Sequence, residues 1–274
     1  MIFSRKVKNN LVILIGLLVL STISSCTQGP SLNPFVRANT TIEQAIQKKI
    51  AGQECCYLEY GVKESVDGRV NKISRTSAVK IHVQYENGRF RGTGTYFAYK
   101  GNHIIVTAAH LWAAGPPLVL QSEALVTGPS EKVIGKVIYW DPLVDIAILI
   151  VPKMESRNAA KLIRDPQYSV GETVVYSGFP GRNSLLTFQG QLAGDGYGTS
   201  LAMHSMAWGG SSGSGVFDSS GRFVGVVSSI MVGRSFLGPQ LVGSIVYISP
   251  ANLIDMEYLK QNLRIMEDKK NEGF

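Results

Sequence analysis

The sequence has few cysteines, and none where a disulfide could support a fold. All three, Cys26, Cys55 and Cys56, precede the part of the chain that shows the pattern of a folded domain. A bond between Cys55 and Cys56 would be strained, because the Cα atoms of adjacent residues lie only about 3.8 Å apart, so we expect free thiols there. Packing must therefore hold the domain, and 45% hydrophobic residues can supply the core.

The sequence also lacks the patterns of nucleic-acid and metal binding. Its formal charge is +7, but three of its 27 cations, Arg5, Lys6 and Lys8, lie in an N-terminal segment, and the other 24 against 20 acidic residues leave +4. The remaining Lys and Arg are scattered and form no basic stripe with interleaved aromatics. None of the four histidines has a metal-ligand spacing such as His-Glu-x-x-His. The sequence thus predicts no nucleic-acid partner, no metal and no cofactor.

The apolar run near the N-terminus is too short to be a membrane span. It covers residues 11–20, about half of the roughly 20 residues that a spanning helix needs. It follows a basic start and precedes small polar residues up to Cys26, which predicts an export signal over residues 1–26. Residues 23–26, Ile-Ser-Ser-Cys, also resemble the lipobox of bacterial lipoproteins. That resemblance implies a lipid anchor at Cys26 and a place in a bacterial cell envelope, facing the periplasm; an ordinary cleaved signal is the alternative.

Beyond the signal, the pattern changes at about residue 77. Residues 27–76 predict a linker or pro-segment, with one short helix over 42–50 that a capping box opens at Thr40. Short strand patterns then follow one another with turn residues between them: residues 79–84, 94–99, 104–107, 132–139, 146–151, 172–177, 215–218, 222–228 and 244–248.

About a dozen strands in roughly 170 residues, with no long helix between them, predict barrels or a sandwich. A helix from about 250 to 266, with an apolar side, is expected to close the domain.

Two polar residues stand at the ends of strongly apolar strands. His110 follows the buried strand 104–107 and two alanines, and Asp145 directly precedes the apolar run 146–149. A carboxylate at the edge of a core needs hydrogen-bond donors, since burial without them costs several kcal/mol, and a histidine is one candidate. Alone, His110 would be interpreted as a structural histidine.

A serine lies among glycines in a third segment. Ser212 stands in Gly-Gly-Ser-Ser-Gly-Ser-Gly over residues 209–215 and is followed directly by a strand. Glycines on both sides of a serine permit the tight backbone that turns N–H groups toward one point. A flexible linker is the alternative, but the strand that follows without a break argues against it.

Together the three segments resemble the chymotrypsin-like serine proteases, and within them the bacterial Deg-type periplasmic proteases and glutamyl endopeptidases. The family's Thr-Ala-Ala-His stands at residues 107–110, its Asp-hydrophobic-Ala-hydrophobic-Leu at 145–149, and its glycine-serine motif at 210–215. The resemblance spans about residues 77–254. The chain order His, Asp, Ser excludes the orders of subtilisins and α/β-hydrolases.

The resemblance implies an all-β fold of two six-stranded antiparallel barrels and a serine endopeptidase that acts on proteins or peptides. The protease domain is expected over 77–268, with barrel one over about 77–155 and barrel two over about 165–250. No segment of PDZ size follows it.

The resemblance also assigns roles to individual residues. Ser212 would be the nucleophile, His110 the general base and Asp145 the carboxylate that orients it, with the N–H groups of Gly210 and Ser212 as the oxyanion hole. The substrate would pair with a strand edge at Ser228, Ser229 and Ile230. The wall of the specificity pocket would be Met206, Ala207 and Trp208.

Two residues depart from the family's pattern. Ser211 stands where the family has Asp or Asn, which removes the carboxylate that pancreatic-type zymogens pair with a new N-terminus, and Gly215 replaces the usual proline. An envelope lipoprotein that keeps the fold and binds peptides or partners without turnover is therefore an alternative. Against it, binding alone gives no reason to retain all three triad residues.

Overall fold

The computed structural model describes residues 68–85, 88–112, 123–162, 168–235 and 238–271. The predicted export signal, Cys26, the helix over 42–50, Cys55 and Cys56 lie outside these ranges. No helix within them is long and apolar enough to cross a membrane.

The first half of the described chain forms a closed barrel of six antiparallel strands in the order β1-β4-β5-β6-β3-β2, which closes where β1 pairs with β2. The strands are β1 (Ala78–Tyr85), β2 (Gly88–Tyr99), β3 (Asn102–Thr107), β4 (Glu123–Thr127), β5 (Lys132–Asp141) and β6 (Ile146–Val151). A short strand, β7 (Ala160–Lys161), adds to β2 in parallel.

The second half forms another closed barrel, in the order β10-β13-β12-β11-β8-β9. Its strands, all paired antiparallel, are β8 (Thr173–Gly178), β9 (Leu186–Asp195), β10 (Leu201–His204), β11 (Gly215–Asp218), β12 (Phe223–Ser235) and β13 (Gly238–Pro250). The expectation of two six-stranded antiparallel barrels is confirmed.

The apolar run 146–151 is a strand that is covered on both faces. In β6, Ala147 and Leu149 face the core of barrel one, whereas Ile146 and Ile148 belong to a second cluster. That cluster also holds Phe217 from barrel two and residues of the C-terminal helix. A strand buried on both faces needs no polar alternation, which explains why this run is continuous.

Two helices flank the barrels. Helix α1 (Arg69–Ser77) is absent from the sequence-based predictions, and its buried residues are the serines Ser74 and Ser77. Ser74 Oγ donates to Ser177 Oγ of β8 at 2.8 Å, so α1 is fixed to barrel two by a polar contact.

The C-terminal helix was predicted to begin at about residue 250, but in the structure it begins later. A 3-10 turn (Ala251–Leu253) comes first, and α2 (Met256–Asn271) then begins. The carboxylate of Asp255 accepts the N–H groups of Glu257 and Tyr258, both at 3.0 Å, and so caps the helix at that point.

Candidate active site

His110 lies where β3 ends. The strand stays buried to Thr107, and the chain then turns through the 3-10 helix Ala109–Trp112, which carries His110. The ring Nδ1 lies 2.9 Å from Asp145 Oδ2 and 3.1 Å from Oδ1, and the backbone N–H of His110 donates to Oδ1 at 2.8 Å. Asp145 therefore holds both the ring and the backbone of His110. The other ring nitrogen, Nε2, bonds to no residue that the structure describes.

Asp145 has an unusual backbone. Its φ is +56°, in the left-handed region, which costs a residue other than glycine about 1–2 kcal/mol. The preceding turn sets this conformation, since Asp141 Oδ1 accepts the N–H groups of Leu143 at 2.9 Å and Val144 at 3.3 Å. The strained backbone aims the carboxylate at His110 instead of continuing β6 outward.

Ser228 of barrel two completes the hydrogen bonding of Asp145. Its hydroxyl donates to Asp145 Oδ2 at 2.5 Å. With the two N–H groups of His110, the carboxylate has three donors, which is what a partly buried charge needs. Ser228 was predicted to lie on the substrate edge, but its contact with Asp145 was not predicted. The two residues are 83 positions apart, and no local pattern signals their meeting.

Ser212 is the accessible serine of its loop. Ser211 is 1% exposed and Ser214 is fully buried, whereas Ser212 is half-buried. The chain reverses there through Gly210 and Gly213, whose φ angles are +101° and +83°. Of these three hydroxyls, only that of Ser212 can meet a substrate.

Gly213 brings the serine loop against barrel one. A Cβ at this position would lie 2.1 Å from Thr107 Oγ1 and 2.2 Å from the carbonyl oxygen of Thr93, so only glycine fits. The Thr93 N–H also donates to the Ser212 carbonyl at 2.8 Å. The loop is thereby fixed against the end of β3, three residues before His110.

Two backbone N–H groups of the serine loop have no acceptor among the residues that the structure describes. Those of Ser211, Gly213 and Ser214 donate to backbone carbonyls at 2.7–3.0 Å. Those of Gly210 and Ser212 donate to no atom of the residues that the structure describes. Unused backbone donors in the loop of a nucleophile can stabilise an oxyanion.

The structure brings His110 and Asp145 into contact, and it does not join Ser212 to them by a hydrogen bond. Within the described residues, Ser212 Oγ has no hydrogen-bond partner. In enzymes without substrate this bond is often long and tightens only in the complex, so its absence does not exclude the pair. The triad stays a prediction.

In the described residues, the edge of β12 is open beyond Val227. Strand β11 pairs with β12 as far as Val226, and the backbone of Gly213 and Ser214 then bonds to Val227. Ser229 and Ile230 pair with β13 on the opposite edge. Among the residues that the structure describes, no strand covers the β11 side of 228–230. Ser229 is exposed and Ser228 half-buried there. An extended peptide could add to this edge as a strand.

The predicted pocket wall has two accessible side chains. Met206 and Trp208 are each 50% exposed, whereas Ala207 is buried. Behind the wall, the hydroxyl of Tyr176 donates to the Met206 carbonyl and also bonds to Ser211. Burial raises the pKa of Tyr176 well above 10, so the phenol stays protonated. Tyr176 was not predicted as a site residue, because its place in the strand pattern is that of a core residue.

The two departures from the family's pattern have structural roles. Gly215 donates its N–H to Thr95 Oγ1 at 2.8 Å, which a proline could not do, and a Cβ there would lie 2.3 Å from that oxygen. Ser211 accepts the Trp208 N–H at 3.4 Å in addition to its bond with Tyr176. Buried neutral hydrogen bonds thus occupy the place of the family's acidic or amide side chain.

In the ranges given above, no group of three or more His, Cys, Asp and Glu side chains could hold a metal ion. His103 belongs to barrel one, where its Nδ1 bonds to the hydroxyl of Tyr96 at 2.7 Å.

A family model and several solved structures are similar to this chain. The model of a family described as the trypsin-like peptidase domain matches residues 92–226, a range that contains His110, Asp145 and Ser212. None of the curated proteins matches the chain significantly.

Among solved structures, the active form of the Rv3671c protease from M. tuberculosis has a TM-score of 0.50 and 22% identity over 68% of this chain and 81% of its own. A serine endoprotease from Yersinia pestis has a TM-score of 0.53 and 18% identity over 71% and 65%. The HtrA-type protease AlgW, solved with a tripeptide, has a TM-score of 0.52 and 18% identity over 72% and 61%. These likenesses show that the chain has the trypsin-like fold.

Proposed function

We propose that this chain is a serine endopeptidase that hydrolyses peptide bonds of proteins through an acyl-enzyme. One observation carries the proposal. Barrel one holds the histidine-carboxylate pair, and the accessible Ser212 stands in a loop that packs against Thr107, three residues before His110. In that loop the N–H groups of Gly210 and Ser212 donate to no residue that the structure describes. A role in binding alone would not require these free donors next to a hydroxyl. The likeness to an HtrA-type structure supports placing the chain with the bacterial Deg-type branch.

Each group has a step in the reaction. Ser212 Oγ attacks the substrate carbonyl as His110 Nε2 accepts its proton, while Nδ1–H stays bonded to Asp145. The N–H groups of Gly210 and Ser212 donate to the oxyanion. The C–N bond then breaks, and His110 gives the proton to the departing amine. Water repeats the sequence on the ester, which releases the acid and restores the Ser212 hydroxyl.

The pocket wall favours apolar side chains before the scissile bond. Met206 lies six residues before Ser212 and offers no charge to a Lys or Arg side chain. An unpaired cation buried there would cost several kcal/mol, or more than a hundredfold in kcat/KM. We expect cleavage after Val, Ala, Leu or Met in a peptide library. Cleavage mainly after Arg, Lys or Glu would refute the pocket while leaving the triad untouched.

A fluorophosphonate probe tests the nucleophile without knowledge of the substrate. The wild-type protein should be labelled, and Ser212→Ala should lose both label and casein hydrolysis, the latter by on the order of 10⁶ in kcat. Ser214→Ala is the matched control, because its serine stands in the same loop but is buried. Labelling that survives in Ser212→Ala would overturn the assignment. A wild-type protein that binds peptides but takes up no probe would support the binding-only alternative.

The N-terminal segment adds a second, separate proposal, that the protein is exported and held in a bacterial envelope by a lipid at Cys26. Its support is the sequence alone, the apolar run 11–20 followed by Ile-Ser-Ser-Cys. Metabolic palmitate labelling in a bacterial host should mark the wild-type protein and be lost in Cys26→Ser. Label that persists in Cys26→Ser would contradict the anchor.

A further inference from the structure

A group of cations lies on barrel one next to the serine loop. Arg89 and Arg91 are exposed on β2, and on the neighbouring β1, Lys80 and His82 are half-buried. His82 pairs directly with Arg91, and Lys80 pairs with Thr93. We call Lys80, Arg89 and Arg91 the cationic strip.

One end of the strip lies near the loop of the candidate nucleophile, because Arg91 is two residues from Thr93. The Thr93 N–H donates to the Ser212 carbonyl at 2.8 Å, and the Thr93 hydroxyl donates to the Gly210 carbonyl at 2.8 Å. Side chains alternate along a strand, so Arg91 and Arg89 share a face with Thr93 and lead away from the loop two residues at a time.

Lys80 extends this face toward barrel two. Its Nζ lies 4.9 Å from the centre of the Phe179 ring. Two residues further on, the Gly181 N–H donates to the Gly209 carbonyl at the base of the serine loop. Lys80 therefore lies on the side of the strip that approaches the serine loop.

Among the described residues, the positive charges of the strip are not balanced by nearby carboxylates. Within the described ranges, no carboxylate lies within 4.0 Å of the charged nitrogens of Lys80, Arg89 or Arg91, and Arg89 bonds instead to the neutral Gln84 at 2.9 Å. The pKa of His82 is lowered first by burial and then by Arg91, Lys80, Arg89 and Lys132. The potential over this face is thus positive, and it is set by permanent charges.

The strip lies on the leaving-group side of the site. In the proposed function, the part of the substrate before the scissile bond pairs with the open edge 228–230 of barrel two. The side chain just before that bond contacts the pocket wall at Met206. The part after the bond must then leave Ser212 in the other direction, along β2. We propose that the cationic strip binds this part and selects substrates with Asp or Glu in the few positions after the scissile bond. The inference rests on the proposed function and names its substrate class.

Quenched fluorescent peptides test this directly. Three peptides share all residues up to the cut and carry Asp/Glu, Ala/Ser or Lys in positions two to four after it. The readout is the ratio of kcat/KM for the acidic peptide to kcat/KM for the neutral peptide. Because both values come from the same variant, a general loss of activity does not change the ratio. Exposed charge pairs change rates by a few-fold each, so we expect a wild-type ratio on the order of ten, and a Lys peptide below the neutral one. Raising the salt from 0.05 to 0.5 M should lower the ratio severalfold.

Variants assign the effect to the strip. R89Q/R91Q should bring the ratio close to one, and K80Q should lower it partly. K136Q is the matched control, since Lys136 is an exposed cation of the same barrel that lies 4.0 Å from Glu123, and it should keep the wild-type ratio.

The outcomes separate the two proposals. A protein that labels with fluorophosphonate and cleaves the peptides with a ratio near one in wild type overturns the strip and leaves the peptidase standing. No labelling and no cleavage overturn the peptidase. If R89Q/R91Q kept the ratio but lost co-sedimentation with phosphatidylglycerol vesicles, the strip would be a membrane contact, and the inference would fall.

Discussion

Ser228→Ala removes one hydrogen bond from the candidate site without adding any atom to it. The Ser228 hydroxyl donates to Asp145 Oδ2 at 2.5 Å, and Asp145 in turn holds His110 through its ring and its backbone. The truncation should therefore act on the orientation of His110 and leave the Ser212 loop in place. Its effect should be seen in the rate at which the serine reacts.

The size of the effect follows from the hydrogen bonds that remain. A hydrogen bond to a charged group contributes about 1.5–3 kcal/mol, or about 10- to 100-fold in rate if all of it reaches the transition state. Asp145 keeps both donors from His110, and at 20% exposure its carboxylate can take water in place of the hydroxyl. We expect the lower end, about a tenfold loss in kcat/KM. The ceiling is the loss of about 10⁴ that follows when the orienting carboxylate itself is replaced in such triads.

The assay is the second-order rate constant of fluorophosphonate labelling, with casein hydrolysis as a second readout. Ser229→Ala is the matched control, because Ser229 is exposed and its hydroxyl bonds to no residue that the structure describes. Ser228→Thr keeps the hydroxyl and should restore part of the rate. Thermal unfolding of each variant shows whether the fold is intact. If Ser228→Ala reacts as fast as Ser229→Ala, the carboxylate does not depend on this bond, and the reasoning is refuted.

Three further changes test other contacts. Tyr176→Phe should slow fluorophosphonate labelling several-fold with little change in KM, because it frees the Met206 carbonyl and Ser211 behind the oxyanion loop; Tyr168→Phe, which loses a bond to the Val224 carbonyl, should leave the labelling rate unchanged. Gly213→Ala should lower the thermal unfolding temperature far more than Gly101→Ala, because both glycines have a φ near +80° but of the two only Gly213 is enclosed by other atoms. Equal losses in unfolding temperature would contradict the packing argument. Glu131→Gln should lower the free energy of unfolding at pH 7, because hydrogen bonds from Ser156 lower the pKa of Glu131 below 4.5. This contribution is present above pH 4.5 and is lost as the pH falls through the lowered pKa. Chemical denaturation should therefore show a smaller difference between the wild type and Glu131→Gln at pH 3 than at pH 7.

The strands predicted from the sequence are those whose pattern is set by burial. Strands β1, β3 and β6 show either alternation or a continuous apolar run, and both follow from which faces are covered. Strands β4, β7, β9 and β10 were missed. β9 carries two glycines and has one fully buried residue, Leu192, so its sequence shows no apolar face. Its place is set by pairing with β8 and β10 instead.

Helix α1 was missed for a related reason. Its buried positions are serines, which a search for apolar periodicity does not find. Ser74 and Ser77 are covered because their hydroxyls have partners, Ser177 in barrel two and the Ile73 carbonyl within the helix. Polar contacts between distant residues leave no trace in local sequence. The same limit hid the roles of Thr93 and Tyr176 at the candidate site.

The contacts that join the two barrels at this site are also the contacts that shape it. Ser228 of barrel two bonds to Asp145 of barrel one, and Thr93 of barrel one bonds to the Ser212 carbonyl of barrel two. Of the three candidate residues, His110 and Asp145 belong to barrel one and Ser212 to the loop before β11 of barrel two. A small relative shift of the barrels would therefore lengthen the path between Ser212 and His110 before either core lost its packing. Reactivity of the serine should consequently be more sensitive to changes at this junction than the free energy of unfolding is, because misplacement by about 1 Å can cost a hundredfold in rate.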